Sequence, residues 1–182
     1  RPSLHSKMNL ELAYSNEDLL KTVNLLLDQT NTIHRQLSTN DSLMVTFKTD
    51  RETLFNNTYK GYEALKNTNT FEVPYLPKRV KASLLSLPLT YMGFSGYLNP
   101  FTHEAQVDDL MPLFNTPLTA AHEMAHQLGY AAENEANFIG FLATVKHPDP
   151  VFNLSGYGFA LRYCLNELYY RDKAQFEALY KR

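Results

Sequence analysis

His122-Glu123-Met124-Ala125-His126 is the stretch whose reading decides how the rest of this chain is arranged. On a helix of about 3.6 residues per turn, positions four apart stand one above the other, so the imidazoles of His122 and His126 reach a single point. Glu123 lies about a hundred degrees round the helix, beside that point. Two imidazoles with a neighbouring carboxylate form a donor set for zinc (Zn2+) that carries its own general base, which is the chemistry of metal-assisted hydrolysis. The flanks agree with a helix. Asn115-Thr116-Pro117 reads as its start, with Thr116 as N-cap and Pro117 at the first helical position, where a missing N–H costs nothing. Gly129 reads as the residue that ends it. Leu118, Ala121, Ala125 and Leu128 form an apolar stripe that packs one side and leaves the histidines at its edge.

A catalytic zinc takes three protein ligands and leaves a position open, so a third donor is needed. After Gly129 a second helical pattern runs to about Lys146, and it opens with Glu133 and Glu135. Glu133, Ala136, Asn137 and Gly140 share a small, polar face that allows close approach to the first helix, whereas Glu135 groups with Phe138, Ile139 and Leu142. The face argument favours Glu133 as ligand and keeps Glu135 as the alternative. Asn137, one turn on, either holds a ligand in place or is a packing residue.

Residues 93–142, through Gly93-Phe94-Ser95-Gly96-Tyr97-Leu98-Asn99-Pro100, the 122–126 motif and Glu133-Asn134-Glu135-Ala136-Asn137, resemble a bacterial family of membrane-anchored zinc peptidase candidates labelled as a domain of unknown function. Glu133-x-x-Ala136-Asn137 is also similar to the Glu-x-x-Ala-Asp/Asn helix of the gluzincin metallopeptidases, whose glutamate is the third zinc ligand. The resemblance therefore implies Glu133 as ligand, a minimal gluzincin-like fold and a peptide or protein substrate. It also implies a transmembrane anchor before the domain and an extracytoplasmic position. The step from His126 to Glu133 is shorter than in long-spaced gluzincins. The metzincin pattern fits less well, since Ala132 stands where its third ligand belongs.

The chain has 182 residues, 44% of them apolar, enough for one sizeable core and one domain over residues 1–182. A net charge of −2 argues against nucleic acid, which demands a basic face. Tyr and Phe are abundant, 12 and 11, as expected of a packed core or a peptide cleft. The lone Cys164 lies on a helical pattern and reads as a small buried hydrophobe, with no intrachain disulfide possible. No apolar run is long enough to span a bilayer and no signal peptide opens the chain. Because it starts Arg1-Pro2 and stops within a helical pattern at Lys181-Arg182, the expectation is a piece of a longer protein whose anchor lies outside it.

Ser15 with Glu17 and Asp18 caps an amphipathic helix to about Leu37, along Leu19, Val23, Leu26, Ile33 and Leu37. Asp50 opens another to about Asn67, with polar linkers at Ser38 to Ser42 and Asn67 to Thr70. Between Val80 and Val107 the candidate strands are Leu87–Tyr91 and Phe101–Val107, around an Asn99-Pro100 turn. Further helices are expected over Phe152–Tyr170 and from Asp172. The architecture is read as α+β, a small antiparallel sheet packed on the zinc-binding helix pair with additional helices around it.

In gluzincins the strand before the zinc helix binds substrate as an added strand, which assigns that role to Phe101–Val107 by resemblance. His103 reads as a surface histidine, and Glu104 as either a solvated residue or a substrate contact. Tyr157, in Ser155-Gly156-Tyr157-Gly158, is the candidate oxyanion stabiliser, with Arg162 behind it. The leading expectation is a zinc-dependent peptidase in which Glu123 activates water and later protonates the leaving amine. The alternative is a non-catalytic, membrane-associated sensor or binding domain with a structural zinc. Glu123 discriminates between them, because a structural site has no use for a carboxylate beside an open position.

Overall fold

Helical periodicity and caps set most of the backbone in the computed structural model, which describes residues 3–38, 40, 42–68, 72–77 and 79–180. A short α1 (Leu4–Lys7) precedes α2 (Asn16–Leu37), whose start is a full capping box: the Ser15 hydroxyl accepts from the Asp18 N–H and the Asp18 carboxylate accepts from the Ser15 N–H. The helix expected over Asp50–Asn67 is two pieces, α3 (Arg51–Asn57) and α4 (Tyr59–Lys66). At the join the Thr58 N–H reaches back to Phe55 O and the Gly61 N–H to Thr58 O, three-residue steps that tighten the backbone. Of the two polar linkers, Thr39, Asp41, Asn69 and Thr70 lie outside the described residues, as do Arg1, Pro2, Lys181 and Arg182.

Strands β1 (Val80–Ala82), β2 (Gly96–Leu98) and β3 (Ala105–Val107) make one sheet in the order β1-β3-β2. It is mixed, which corrects the antiparallel expectation: β2 and β3 form a hairpin, while β1 runs parallel to β3. The cause is the segment read as a strand, Leu87–Tyr91, which is helix α5 (Ser86–Met92) and carries the polypeptide across before β2. Ser83 starts that helix, its hydroxyl accepting from the Leu85 N–H and its carbonyl from the Ser86 hydroxyl; Gly93, at φ 77°, ends it. The expected strand Phe101–Val107 is likewise shorter. Asn99 Oδ1 accepts from the Phe101 and Thr102 N–H groups, and the turn runs on through His103 at φ 57° before β3 begins.

The 12-residue α6 (Thr116–Gln127) crosses the sheet and pairs with α7 (Glu133–Val145). Asn115 is the residue before α6 and has helical φ/ψ, because a 3₁₀ turn (Leu113–Asn115) leads straight in. Thr116 is therefore inside the helix rather than its cap, and its hydroxyl accepts from Arg51 Nη1 at 2.5 Å. The predicted stripe holds: Leu118, Ala121, Ala125 and Leu128 are all buried. Ala121, Ala125 and Leu128 join Met124, Ala105 and Val107 in the main core, in which each large side chain contributes about 1.5–3 kcal/mol. The long α8 (Pro150–Arg171) closes the other side and packs along α2 through Leu19, Val23 and Leu168, followed by α9 (Lys173–Tyr180). Cys164 lies at that interface. Among the described residues no helix is long and apolar enough to cross a membrane.

Candidate functional site

The apolar stripe of α6 turns His122 and His126 to its margin, where α7 meets it. That meeting is close: a methyl at Gly140 would stand 3.0 Å from His122 N and 3.2 Å from its Cα. Each imidazole is held from behind. His122 Nδ1 lies 2.9 Å from Asn137 Oδ1 and His126 Nδ1 lies 2.6 Å from the Tyr130 carbonyl, both acceptors. The protons therefore sit on the Nδ1 atoms, and each Nε2 presents a lone pair. The two Nε2 atoms face each other at 3.1 Å, with Glu133 carboxylate oxygens 3.2 Å from that of His122 and 3.6 Å from that of His126. All three donors lie within 4.8 Å of one another. Lone pairs turned together repel unless a cation lies between them, so the imidazole–imidazole–carboxylate set fits a zinc ion, with Asn137 and the Tyr130 carbonyl fixing the ring orientations.

Of the two glutamates, Glu133 joins the histidines. The Glu135 carboxylate instead accepts from the Leu4 N–H and ties α1 to α7. The face argument thus separates them in the direction it predicts, and Asn137 takes the ring-holding role of its two open readings.

Glu123 is only 5% exposed, and its Oε2 has no hydrogen-bond partner among the described residues. Burial, and secondarily the charge of Glu133, push its carboxyl up to about 8. Burial, and then the neighbouring charge of His126, hold His122 below its usual range. The Glu123 carboxylate lies directly against β2, since a methyl at Gly96 would stand 2.7 Å from its Oε1. Sequence reasoning misses this contact. The only local sign is the glycine in Ser95-Gly96-Tyr97, and what it faces is decided 27 residues away. The donors, Glu123, all of β2 and one face of α8 line a single cleft of about 1100 Å³.

Across residues 1–182 the sequence matches the family described as protein of unknown function (DUF3810). The chain belongs to that family. No curated protein and no solved structure matches it.

The remaining predicted positions divide between cleft and surroundings. Tyr157 does not line the cleft; its ring packs edge-on against Phe141 of α7 at 6.2 Å. The cleft face of α8 is Ser155, Gly158, Phe159 and Arg162, spaced i, i+3, i+4 and i+7, and Tyr157 is turned off it by one helical step. The oxyanion role assigned to Tyr157 is thereby withdrawn, while Arg162 is at the cleft wall. His103 also lines the cleft, with Nε2 3.0 Å from the Gln127 carbonyl, apart from the donor cluster. Glu104 is paired with Lys81 at 2.5 Å, and that hydrogen bond holds its carboxyl below the usual range.

Proposed function

We propose that this chain is a zinc-dependent metallopeptidase that hydrolyses peptide bonds, with His122, His126 and Glu133 holding the metal. The observation that carries the reading is the buried Glu123 carboxylate, its Oε2 without a hydrogen-bond partner among the described residues, in the same cleft as three convergent donors. Zinc in such a site supplies a Lewis acid that polarises the scissile carbonyl and acidifies water. The protein supplies the rest. With a cation at the three donors favouring its charged form, Glu123, one residue after His122 and braced against Gly96, would take a proton onto its carboxylate and return it to the leaving nitrogen. Asn137 and the Tyr130 carbonyl keep both imidazoles oriented with Nε2 inward.

Substrate binding is assigned to β2. In the β1-β3-β2 order both edges of β3 are occupied, so the strand proposed from Phe101–Val107 has no free edge to offer. Among the described residues no strand pairs with the outer edge of β2, and all three of its residues line the cleft, which suits an extended peptide added as a further strand.

Metal analysis and cleavage of a peptide library, with and without a chelator, test the proposal. One zinc per molecule and chelator-sensitive cleavage are expected. Glu123→Gln should keep the zinc and lower the cleavage rate by about 10²-fold or more. A wild-type protein that binds zinc stoichiometrically yet cleaves nothing, or a Glu123→Gln variant that cleaves at the wild-type rate, rules the peptidase reading out in favour of a structural zinc.

A further inference from the structure

The cleft-lining residues include two carboxylates, Glu123 and Glu133, and one arginine or lysine, Arg162. Arg162 ends the cleft face of α8. Ser155 begins that face two turns earlier, its hydroxyl accepting from the Leu118 N–H at the first turn of α6. The stripe from Ser155 to Arg162 extends about 10 Å at 1.5 Å per residue, the length of roughly three extended peptide residues. Its middle is apolar and closely fitted. A methyl at Gly158 would stand 2.7 Å from Phe114 Cζ, so the ring of Phe114 lies on that glycine beside Phe159.

The guanidinium itself is directed without being neutralised. It lies 5.7 Å from the ring centre of Phe159 and 5.9 Å from that of Tyr163. Among the described residues no carboxylate pairs with it, whereas Arg171, further along the same helix, is satisfied by Glu167 at 2.6 Å. Arg162 has two aromatic rings that orient it and a cleft to face.

We propose that Arg162 anchors a carboxylate of the substrate, so that the cleft takes peptides bearing an anionic group toward the Arg162 end of α8. The inference rests on the peptidase reading for its substrate class. A guanidinium suits this task because its planar fork binds a carboxylate through two parallel hydrogen bonds. The carboxylate has two sources in a peptide, its free C-terminus or an acidic side group, and they predict different modes of cleavage, trimming from an end or cutting at an internal bond.

The test is retention of decapeptide pools on the immobilised full-length protein after chelator treatment, read by mass spectrometry. One pair of pools differs only in a free or amidated C-terminus, the other only in Glu or Gln at internal positions. Wild-type protein should retain one carboxylate pool over its amide counterpart by about 10- to 100-fold, the worth of a hydrogen bond to a charged group. Which pair shows the preference identifies the source. Arg162→Gln should bring that ratio close to one, and Arg162→Lys should keep part of it, with unchanged far-UV circular dichroism showing that both variants are folded. No retention, no preference in wild type, or a preference that survives Arg162→Gln overturns the proposal. Cleavage of the same pools by the zinc-loaded protein is scored separately: Arg162-dependent retention without cleavage defeats only the peptidase reading, and cleavage without a carboxylate preference defeats only this one.

Discussion

The two walls of the cleft are built in opposite ways. On one, the three convergent side chains proposed as metal donors come from a single run, His122 to Glu133, in which a helix, a glycine turn and the start of the next helix place them within 12 residues. On the other, Gly96 of β2 reaches Glu123 only because a helix, a hairpin and a parallel pairing assemble the sheet first. The donor cluster is thus set by local sequence, whereas the surroundings of Glu123 depend on tertiary structure. Perturbations of the two walls should therefore have separable signatures.

The largest effect falls on the local wall. Replacing His122, His126 or Glu133 by Ala removes a donor, and zinc affinity should fall by orders of magnitude. Asn137→Ala removes only the support of one ring and should cost about 10- to 100-fold. Glu135→Ala should keep the zinc, because its carboxylate is bound to the Leu4 N–H. Competitive titration against a metal-sensitive dye measures all five. Equal zinc retention in the Glu133 and Glu135 variants would break the assignment, and loss in Glu135→Ala alone would mean that α7 is rotated on α6.

A pair of identical substitutions sharpens the contrast at smaller cost. In Gly140→Ala the new methyl meets His122 N at 3.0 Å and Ala121 C at 3.4 Å, backbone atoms that yield only if the helices part. It should destabilise the fold by about 1–3 kcal/mol and weaken zinc together with it. In Gly96→Ala the methyl meets Glu123 Oε1 at 2.7 Å and Gln106 O at 2.8 Å. The carboxylate can swing away but the Gln106 carbonyl is backbone of β3, so the fold should lose stability here too, by about 1–3 kcal/mol, while displacement of the carboxylate lowers hydrolysis at least about 10-fold and zinc stays bound. Thermal melts, zinc titration and kcat/KM on both variants check the split. If both lose zinc equally, the two walls are not independent.

The same division governs what is legible in the sequence. The stripe of α6, its end at Gly129, the capping box of α2 and the placing of Glu133, rather than Glu135, beside the histidines follow from helical periodicity and end chemistry, which act over a few residues. Sequence reasoning misplaces Thr116 by one position because the helix has a lead-in turn and Arg51, distant in sequence, occupies the hydroxyl. Leu87–Tyr91 alternates well enough for a strand, yet Ser83 and Ser86 nucleate a helix there. That error carries through: without α5 between them, the strands look antiparallel and β3 looks like an edge. Tyr157 stands out in the sequence for its glycine neighbours, but those glycines serve packing instead. Gly156 leaves no room for a methyl against Thr144, and Gly158 seats Phe114.

The smallest effect concerns how α7 is held at the end away from Glu133. His147, just after that helix, is buried and stacked on Phe152 at 3.7 Å. Its Nε2–H donates to the Asn57 carbonyl at 3.0 Å, and its Nδ1 accepts from the Asp149 N–H at 3.0 Å, so both nitrogens are committed in the neutral form. Burial lowers its pKa, with Lys60 acting in the same direction; the Asn57 carbonyl and Asp149 oppose them without prevailing. Since the folded state resists the proton, the unfolded state protonates first as pH falls below about 6.5, its unperturbed value, and stability drops from there until the folded pKa is reached. At most one proton is involved, so the slope is bounded at about 1.4 kcal/mol per pH unit. Urea denaturation of the metal-free protein from pH 7.5 to 5 should show wild type losing stability more steeply than His147→Gln, which starts lower because a packed ring is gone. Taking the difference between the two proteins cancels the contribution of His122, whose pKa is lowered in the metal-free state as well. Parallel pH profiles would mean that His147 is protonated in the fold without penalty, and that the far end of α7 is not fastened by the neutral ring.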